Sequence, residues 1–266
     1  MNGCAIIPAY DAERTVGEVV RSLRAVWPEG APLLVIDDGS TDRTAEVARA
    51  AGAEVIVHPK NLGKGAALRT GMREALRRGA VVAVSVDADG QHRAEDARRL
   101  LDEGDDPRAL ILGIRDLVGA GAPRANQISN RISNFFLSFF ARRPFLDTQC
   151  GLRRYPLAAT LGLDARDDGY AFEAEVILRA VAAGLPLVEV PVSVIYPPDR
   201  VTHFDSVKDP ARIVTRVIKT LVVTRGLSLA PASADAFAPR ATSSRPPRAP
   251  DRVEPTDRRA TPPGPL

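Results

Sequence analysis

The amino-acid sequence predicts an α/β protein, in which a mostly parallel central sheet lies between helices in a three-layer arrangement. Two observations support this fold class: the alternation of strand and helix patterns, and the residues at the ends of these elements. Short apolar runs alternate with helical patterns through the first third of the chain. Strands that alternate with helices pair in parallel through right-handed crossovers, which place helices on both faces of the sheet. The predicted strands cover residues 4–7, 33–36, 54–57 and 81–86, and the predicted helices cover residues 15–26, 41–51 and 65–78.

Residues at the ends of these elements support the assignment. Ser40 or Thr41 is a suitable N-cap for the helix that begins near Asp42. Gly52 and Gly79 lie where the second and third helices should end, because glycine readily adopts the left-handed conformation that follows a helix.

The later part of the chain contains further predicted elements. A fifth strand ends near Arg115, and a helix that follows Gly169 ends near Gly184. Residues 189–192 form a short strand, and residues 209–224 form a helix with basic residues among apolar ones.

Composition limits the class of protein. The 266 residues are enough for a sizeable core, and 45% of them are hydrophobic. The chain has a net charge of +3, and residues 231–266 account for two of these positive charges. Residues 1–230 are therefore almost neutral, which argues against a general nucleic-acid binder. Nine of the 22 prolines also fall in residues 231–266. We therefore expect one domain at residues 1–226 and a disordered tail rich in Pro, Ala and Arg at residues 227–266.

The sequence also favours a cytoplasmic location. Cys4 and Cys150 give neither a metal-binding spacing nor a disulfide framework, which favours a reducing compartment. The chain shows no run of about 18 apolar residues and no N-terminal pattern of a secretory signal. We expect a protein that neither crosses a membrane nor is exported by that route.

Three of the first four predicted strands end in carboxylates. Asp11 follows the first strand, Asp37 and Asp38 follow the second, and Asp87 and Asp89 follow the fourth. Ligands of open α/β sheets bind beyond the carboxyl ends of the strands, so these groups should share one crevice. Several acids in a crevice repel one another unless a cation or a hydroxyl-rich ligand is present. The set suits a nucleotide held by its ribose and base in one part and by a metal on its phosphates in another.

The segment Asp87-Ala88-Asp89-Gly90-Gln91 has the chemistry of a metal-diphosphate site. Alternate residues of an extended chain project to the same side, so the two carboxylates should converge. Such hard oxygen ligands suit Mg²⁺ or Mn²⁺. The alternative is a polar turn after a buried strand.

A second segment, Gly63-Lys64-Gly65, precedes a predicted helix and is not a P-loop. It lacks the earlier glycine, and no Ser or Thr follows the lysine. It is better interpreted as a loop that lets the helix pack close to a nucleotide.

Four motifs occur in order along the chain. They are Ala5-Ile6-Ile7-Pro8-Ala9-Tyr10-Asp11, Val35-Ile36-Asp37-Asp38-Gly39-Ser40-Thr41-Asp42, Asn61-Leu62-Gly63-Lys64-Gly65-Ala66 and Asp87-Ala88-Asp89-Gly90-Gln91. Together these motifs resemble the family 2 glycosyltransferases, and most of all the synthases of polyprenyl-phosphate or dolichyl-phosphate mannose and glucose. The resemblance spans roughly residues 3–220.

The resemblance implies a GT-A type, Rossmann-like fold and an inverting hexosyl transfer that depends on Mg²⁺ or Mn²⁺. The metal would be held by Asp87, Asp89 and Gln91, with Asp89 the stronger ligand. This chain has Ala12 where the family often has Glu, which leaves open the choice between UDP and GDP donors. The nucleotide-sugar pocket that the resemblance implies consists of Pro8, Tyr10, Asp37, Asp38, Lys64 and Asp87.

The acceptor side is implied by a later segment and by arginines. Asp147, in Asp147-Thr148-Gln149-Cys150-Gly151-Leu152-Arg153, resembles a family residue beside the acceptor and is a candidate base; the alternative is that it only caps a turn. Arg115 matches a family arginine near the phosphates, and Arg131 is a looser match. A guanidinium can bind phosphate oxygens in a fork. The catalytic candidates are therefore Asp89, Asp147, Arg115 and Arg131.

Two further expectations concern the acceptor. Glu175 is the acidic residue that the resemblance places on the acceptor side, whereas Glu173 would be solvated, and His203 would contact a phosphate or lie on the surface. An acceptor hydroxyl needs a base, whereas a polyprenyl phosphate is already ionised and needs none.

Five of the eight phenylalanines lie between residues 135 and 145, close to Arg142 and Arg143. An apolar helix with a basic end is typical of peripheral contact with a membrane, here the inner face of the plasma membrane. The same stripe could pack in the core, and periodicity does not separate the two.

The sequence therefore predicts an inverting glycosyltransferase that moves a hexose from a UDP- or GDP-linked donor to a polyprenyl phosphate or another acceptor. Two alternatives stay open. A sugar nucleotidyltransferase shares acidic strand ends, but it would carry a glycine-rich basic signature after the first strand, where this chain has Pro8-Ala9-Tyr10-Asp11. A catalytically silent nucleotide-sugar-binding module would keep the same pocket.

Overall fold

The structure, a computed structural model, describes residues 2–104 and 106–196. In this part of the chain, a sheet of seven strands has the order β3-β2-β1-β4-β6-β5-β7. All neighbouring strands are parallel except β6, which runs antiparallel to β4 and β5. The strands are β1 (Gly3–Ala9), β2 (Leu33–Asp37), β3 (Glu54–Val57), β4 (Val82–Ser85), β5 (Leu110–Arg115), β6 (Arg153–Pro156) and β7 (Leu187–Val192).

Within the described residues, seven helices cover the two faces of the sheet and form the outer layers of the fold. One apolar cluster joins the sheet to α3, α5, α6 and α7, and a second cluster joins the other face to α1, α2 and α4. The helices are α1 (Val16–Val26), α2 (Thr44–Ala50), α3 (Lys64–Arg77), α4 (Ala94–Asp102), α5 (Arg124–Ala141), α6 (Leu157–Gly162) and α7 (Ala171–Ala182). The predicted three-layer α/β architecture is confirmed.

The alternation of apolar side chains explains the two clusters. In β1, Cys4 and Ile6 join the first cluster, whereas Ala5 and Ile7 join the second. Successive residues of a strand point to opposite faces of the sheet. A central parallel strand is buried on both faces, so it is a continuous apolar run.

The start of α2 differs from the prediction. The helix begins at Thr44 rather than near Asp42, and neither Ser40 nor Thr41 caps it. The carboxylate of Asp42 instead accepts the Thr44 amide N–H at 2.9 Å, which makes a turn before the helix. The predicted helix over residues 209–224, His203 and the tail at residues 227–266 lie outside the described residues.

Candidate active site

A cavity of about 830 Å³ opens at the carboxyl ends of β1, β2 and β4, where the carboxylate pattern predicts a ligand crevice. Its walls come from the loops after these strands, the first turns of α3 and α7, and the inner face of α5. Eight residues predicted for the site line this cavity: Pro8, Tyr10, Asp38, Lys64, Asp87, Asp89, Gln91 and Arg115. The cavity lining does not include Asp37, Asp147 or Arg131.

Asp38 fixes the loop that precedes α3. Its carboxylate accepts the backbone N–H groups of Leu62 and Gly63 at 3.0 and 2.7 Å, and it contacts His58 Nδ1 at 2.7 Å. The neighbouring Asp37 caps a turn by accepting the Ser40 N–H at 3.0 Å. Asp38 therefore borders the cavity with most of its acceptor capacity in use, and Asp37 shapes the turn beneath it.

A buried ion cluster, which we call the Lys64 cluster, connects α3, the β4 end and α7. Lys64 Nζ lies 2.7 Å from Asp87 Oδ1 and 3.1 Å from Glu173 Oε2. Burial opposes both charges, but the mutual attraction outweighs it, so the pKa of Asp87 is lowered and the pKa of Lys64 is raised. Gly63 adopts a φ of +99°, and a Cβ there would collide with the Asp168 backbone. The glycine thus lets α3 begin close to the start of α7.

Asp89 and Gln91 present oxygen atoms beside this cluster. Asp89 Oδ1 accepts the Gln91 N–H at 3.0 Å. Burial and the negative charge of Asp87 raise the pKa of the Asp89 carboxyl to about 6. An acid that is hard to ionise without a nearby cation is suited to receive one.

The donor set fits a hard divalent cation. Asp87, Asp89 and Gln91 offer two carboxylates and an amide oxygen, and all three residues line the cavity. Within residues 2–104 and 106–196, no group of three or more His, Cys, Asp or Glu side chains could hold a metal by itself. Mg²⁺ commonly binds through one or two carboxylates and completes its coordination shell with water and substrate phosphates. Two carboxylates and one amide oxygen are therefore a suitable set of protein ligands for this cation.

Arg115 is oriented by Asp147. Arg115 Nε and Nη2 donate to the two oxygens of Asp147 at 2.7 and 3.0 Å, and the Asp147 side chain is 0% exposed. Asp147 also accepts the N–H groups of Arg115 and Gln149 at 3.2 and 3.1 Å. This geometry does not present Asp147 as a base toward the cavity, in contrast to the role implied by resemblance. It instead holds a guanidinium at the cavity wall.

Arg131 does not approach the cavity. It is exposed on α5, whereas Asn126 and Ser133 of the same helix line the cavity wall. Side chains seven residues apart share one face of a helix, and Arg131 lies on another face.

Comparison with known proteins establishes the family. Residues 4–158 match the profile of glycosyl transferase family 2. The chain belongs to glycosyl transferase family 2.

Family 2 relatives align with most of the chain. The polyprenol monophosphomannose synthase of Mycolicibacterium smegmatis is 31% identical over 200 residues, which covers 71% of this chain and 75% of that protein. The UDP-N-acetylglucosamine–dolichyl-phosphate N-acetylglucosaminyltransferase of Methanococcus voltae is 28% identical over 218 residues, 72% of this chain and 84% of that protein. The chain is a glycosyltransferase.

A solved structure shares the fold. Glucosyl-3-phosphoglycerate synthase of Mycobacterium tuberculosis, crystallised with Mn²⁺, UDP and glucosyl-3-phosphoglycerate, superposes with a TM-score of 0.66 at 20% identity. The match covers 87% of this chain and 81% of that one. With the observed sheet order, it confirms the predicted GT-A type fold.

Two acids of α7 lie in surroundings that differ from those expected from the sequence of this family 2 chain. Glu175, expected at the acceptor, accepts the N–H groups of Arg166 and Asp167 at 3.1 and 2.9 Å and pairs with Arg179 at 2.8 Å. It secures the segment before α7. Glu173, expected in solvent, is buried and lines the cavity. The available signal was its place in the first turn of α7, which faces the strand ends.

The phenylalanine-rich segment divides between core and surface. Phe145 is buried, and Phe140 packs against the core. Phe135 and Phe139 are 66% and 68% exposed, and Ile128 and Ile132 extend the same stripe along α5. We call these four residues the α5 apolar face. Across the residues that the structure describes, no helix is long and apolar enough to cross a membrane.

Proposed function

We propose that this glycosyltransferase moves a hexose from a UDP- or GDP-linked donor to a polyprenyl phosphate, with inversion at the anomeric carbon. One observation carries the proposal: the carboxylates of Asp87 and Asp89 line the same cavity as the guanidinium of Arg115. Helix α5 lines this cavity with one face and exposes apolar residues on another. The names of relatives that act on polyprenol and dolichyl phosphate support the same acceptor class.

The donor would bind along the carboxyl ends of the strands. Pro8 and Tyr10 border the part near β1, where a base and ribose fit, and Asp89 and Gln91 border the part near β4. Asp87, Asp89 and Gln91 would hold Mg²⁺ or Mn²⁺, and the cation would stabilise the charge that grows on the leaving diphosphate. The structural neighbour was crystallised with Mn²⁺ and UDP, which supports a divalent cation and a nucleoside diphosphate as the ligands of the cavity.

Arg115 would bind phosphate oxygens at the boundary between donor and acceptor. Its guanidinium borders the cavity, and Asp147 fixes its plane through two hydrogen bonds. A bidentate partner orders the arginine before a ligand arrives, so less rotamer entropy is lost on binding.

The ion pair between Asp147 and Arg115 favours a phosphate acceptor over a hydroxyl acceptor. A hydroxyl acceptor must lose its proton to a base as its oxygen attacks the anomeric carbon. A phosphate monoester presents an ionised oxygen, which forms the new C–O bond while the bond to the nucleoside diphosphate breaks. Asp147 is buried against Arg115 and is not needed as a base in that reaction.

The α5 apolar face would contact the membrane that holds the acceptor. Phe135 and Phe139 are large apolar side chains that a water-exposed helix rarely presents together. Arg131 and Arg142 are exposed on and after the same helix and can approach anionic headgroups. Because α5 also lines the cavity, this contact would bring a lipid phosphate toward Arg115.

The test is a transfer assay with hexose-labelled UDP- and GDP-sugars, Mn²⁺ and a polyprenyl phosphate in detergent. We expect label in the organic phase with at least one donor, and the loss of transfer when EDTA removes the metal. Consumption of a donor without label in the organic phase would overturn the lipid acceptor. Failure to consume any donor would overturn the proposal as a whole.

A further inference from the structure

The side chain of Thr15 makes a long-range hydrogen bond at the start of α1. Thr15 is the N-cap residue of this helix, where threonine commonly accepts a backbone N–H of the first turn. In the described part of the chain, Thr15 makes no such capping bond. Its hydroxyl instead lies 2.6 Å from the Ala88 carbonyl, to which it donates, and 3.4 Å from the Ala12 carbonyl. A residue suited to cap its own helix thus holds the loop that follows β4.

The carbonyl that accepts this bond lies between two carboxylates. Ala88 separates Asp87 from Asp89, and both acids line the cavity. The carbonyl belongs to the planar peptide group that joins Ala88 to Asp89, so its direction sets the soft backbone torsions on either side of that group. A rotation of the group would move the Asp89 carboxylate relative to that of Asp87. The Thr15 hydroxyl therefore constrains how the two carboxylates are placed relative to one another.

Other contacts of this loop hold the two acids but do not orient the peptide between them. Asp87 Oδ1 lies 2.7 Å from Lys64 Nζ, and Asp89 Oδ1 accepts the Gln91 N–H at 3.0 Å. Ala88 is buried in the apolar cluster that includes α1. Apolar burial is non-directional, whereas a hydrogen bond depends on the angle at its acceptor. The bond from Thr15 therefore supplies the direction of the Ala88 carbonyl.

The segment that carries Thr15 is itself fixed to the loop after β2. The Ala12 N–H donates to Thr44 Oγ1 at 2.7 Å, and the Glu13 N–H donates to Asp42 Oδ2 at 3.0 Å. These bonds hold the residues that directly precede Thr15. The hydroxyl thus reaches the Ala88 carbonyl from an anchored backbone, as a group that positions a metal ligand must.

We propose that Thr15 is a positioning residue that orients Asp87 and Asp89 toward one divalent cation. This inference rests on the proposed function, because it requires that the two carboxylates hold the cation. Mg²⁺ demands near-ideal geometry of its ligands, so a small displacement of one carboxylate weakens its binding. Groups that orient metal ligands typically contribute 10- to 100-fold to metal affinity.

The experiment is a titration with Mn²⁺, in which the electron paramagnetic resonance signal of free Mn²⁺ reports binding, with and without saturating UDP or GDP. Thr15→Val removes the hydroxyl and keeps the shape of the side chain, whereas Thr15→Ser keeps the hydroxyl. We expect Thr15→Val to weaken Mn²⁺ binding roughly 10-fold in both conditions, and Thr15→Ser to retain the wild-type affinity. The matched control is Thr160→Val in α6, where the buried hydroxyl has no hydrogen-bond partner among the residues that the structure describes. This control should bind Mn²⁺ as wild-type protein does.

Thr15→Ala covers the case in which Thr15→Val does not fold, because it removes the hydroxyl without placing a methyl group against the Ala88 carbonyl. It should also weaken Mn²⁺ binding. Urea unfolding of the metal-free proteins measures the stability of each variant separately. A valine or alanine variant that is less stable but keeps the wild-type Mn²⁺ affinity would show a purely structural role and overturn this inference.

Two other outcomes separate this inference from its neighbours. Thr15 lines the cavity, so its hydroxyl could act on the nucleotide directly. A loss of Mn²⁺ affinity confined to the titrations with nucleotide would indicate that direct contact and overturn the positioning role. If wild-type protein bound no Mn²⁺ in either condition, the cation site of the proposed function would fall, and this inference with it.

Discussion

Replacing Asp147 with alanine tests whether this carboxylate supports Arg115 or acts as a base. The Asp147 side chain is 0% exposed and accepts four hydrogen bonds, two from the Arg115 guanidinium and two from backbone N–H groups. Removing one partner of a buried ion pair typically costs about 3–5 kcal/mol. Arg115 is 13% exposed at the cavity wall and can recover some hydration, which favours the lower end of that range.

The assay is urea unfolding followed by circular dichroism, with Asp102→Ala as the matched control. Asp102 pairs with Arg98 on the surface of α4, at side-chain exposures of 52% and 40%, so its loss should cost at most about 0.5 kcal/mol. We expect Asp147→Ala to lower the free energy of unfolding by about 3 kcal/mol. A loss of stability below about 1 kcal/mol, together with loss of transfer activity, would contradict the buried ion pair between Asp147 and Arg115. It would favour Asp147 as the catalytic base instead.

Three further predictions follow from the site and its surroundings. Because burial and Asp87 raise the pKa of Asp89 to about 6, metal-free protein should lose stability as pH rises from about 4 through about 6, and Mn²⁺ affinity should rise over that window. Asp89→Asn should abolish both trends in thermal melts and Mn²⁺ titrations, and a persistent trend would contradict the assignment. Replacing Phe135 and Phe139 together with serine should weaken binding to anionic vesicles roughly 10- to 100-fold in flotation assays, and equal flotation would contradict the membrane contact. Asp38→Ala should lower the free energy of unfolding by about 2–4 kcal/mol, and a loss below about 1 kcal/mol would show that the loop before α3 does not depend on it.

The parallel half of the fold could be predicted because its signals are local. The apolar runs of β1, β2, β3 and β4 are uninterrupted, and positive φ values at Gly52 and Gly79 confirm the predicted helix ends. β6 was missed because its residues do not look like a buried strand. Arg153 and Arg154 are 0% exposed there.

Backbone carbonyls explain how β6 tolerates these arginines. Arg153 donates to the carbonyls of Thr148, Cys150 and Glu173, and Arg154 donates to three carbonyls near the end of α4. Such partners are distant in sequence or lie in loops, so no local pattern indicates them.

The residues of the candidate site also fall into those that local sequence signals predict and those that they do not. Residues that follow a strand directly, such as Asp87 and Asp89, could be placed because strand ends converge. Asp147 and Glu173 could not be placed, because their roles depend on which way a loop or a helical turn faces after packing. Glu173 and Glu175 differ by two positions on α7, and only the packing of α7 against α3 decides which of them reaches the cavity.

The most direct test of the central claim, that this cavity binds a nucleoside diphosphate through a divalent cation at Asp89, is a thermal-shift measurement. A ligand that binds only the folded state raises its stability, so UDP or GDP with Mn²⁺ should raise the melting temperature. Neither the nucleotide nor Mn²⁺ alone should match that shift, and Asp89→Ala should keep the fold but lose the joint effect. An equal shift in Asp89→Ala, or no shift with either nucleotide in wild-type protein, would contradict the claim.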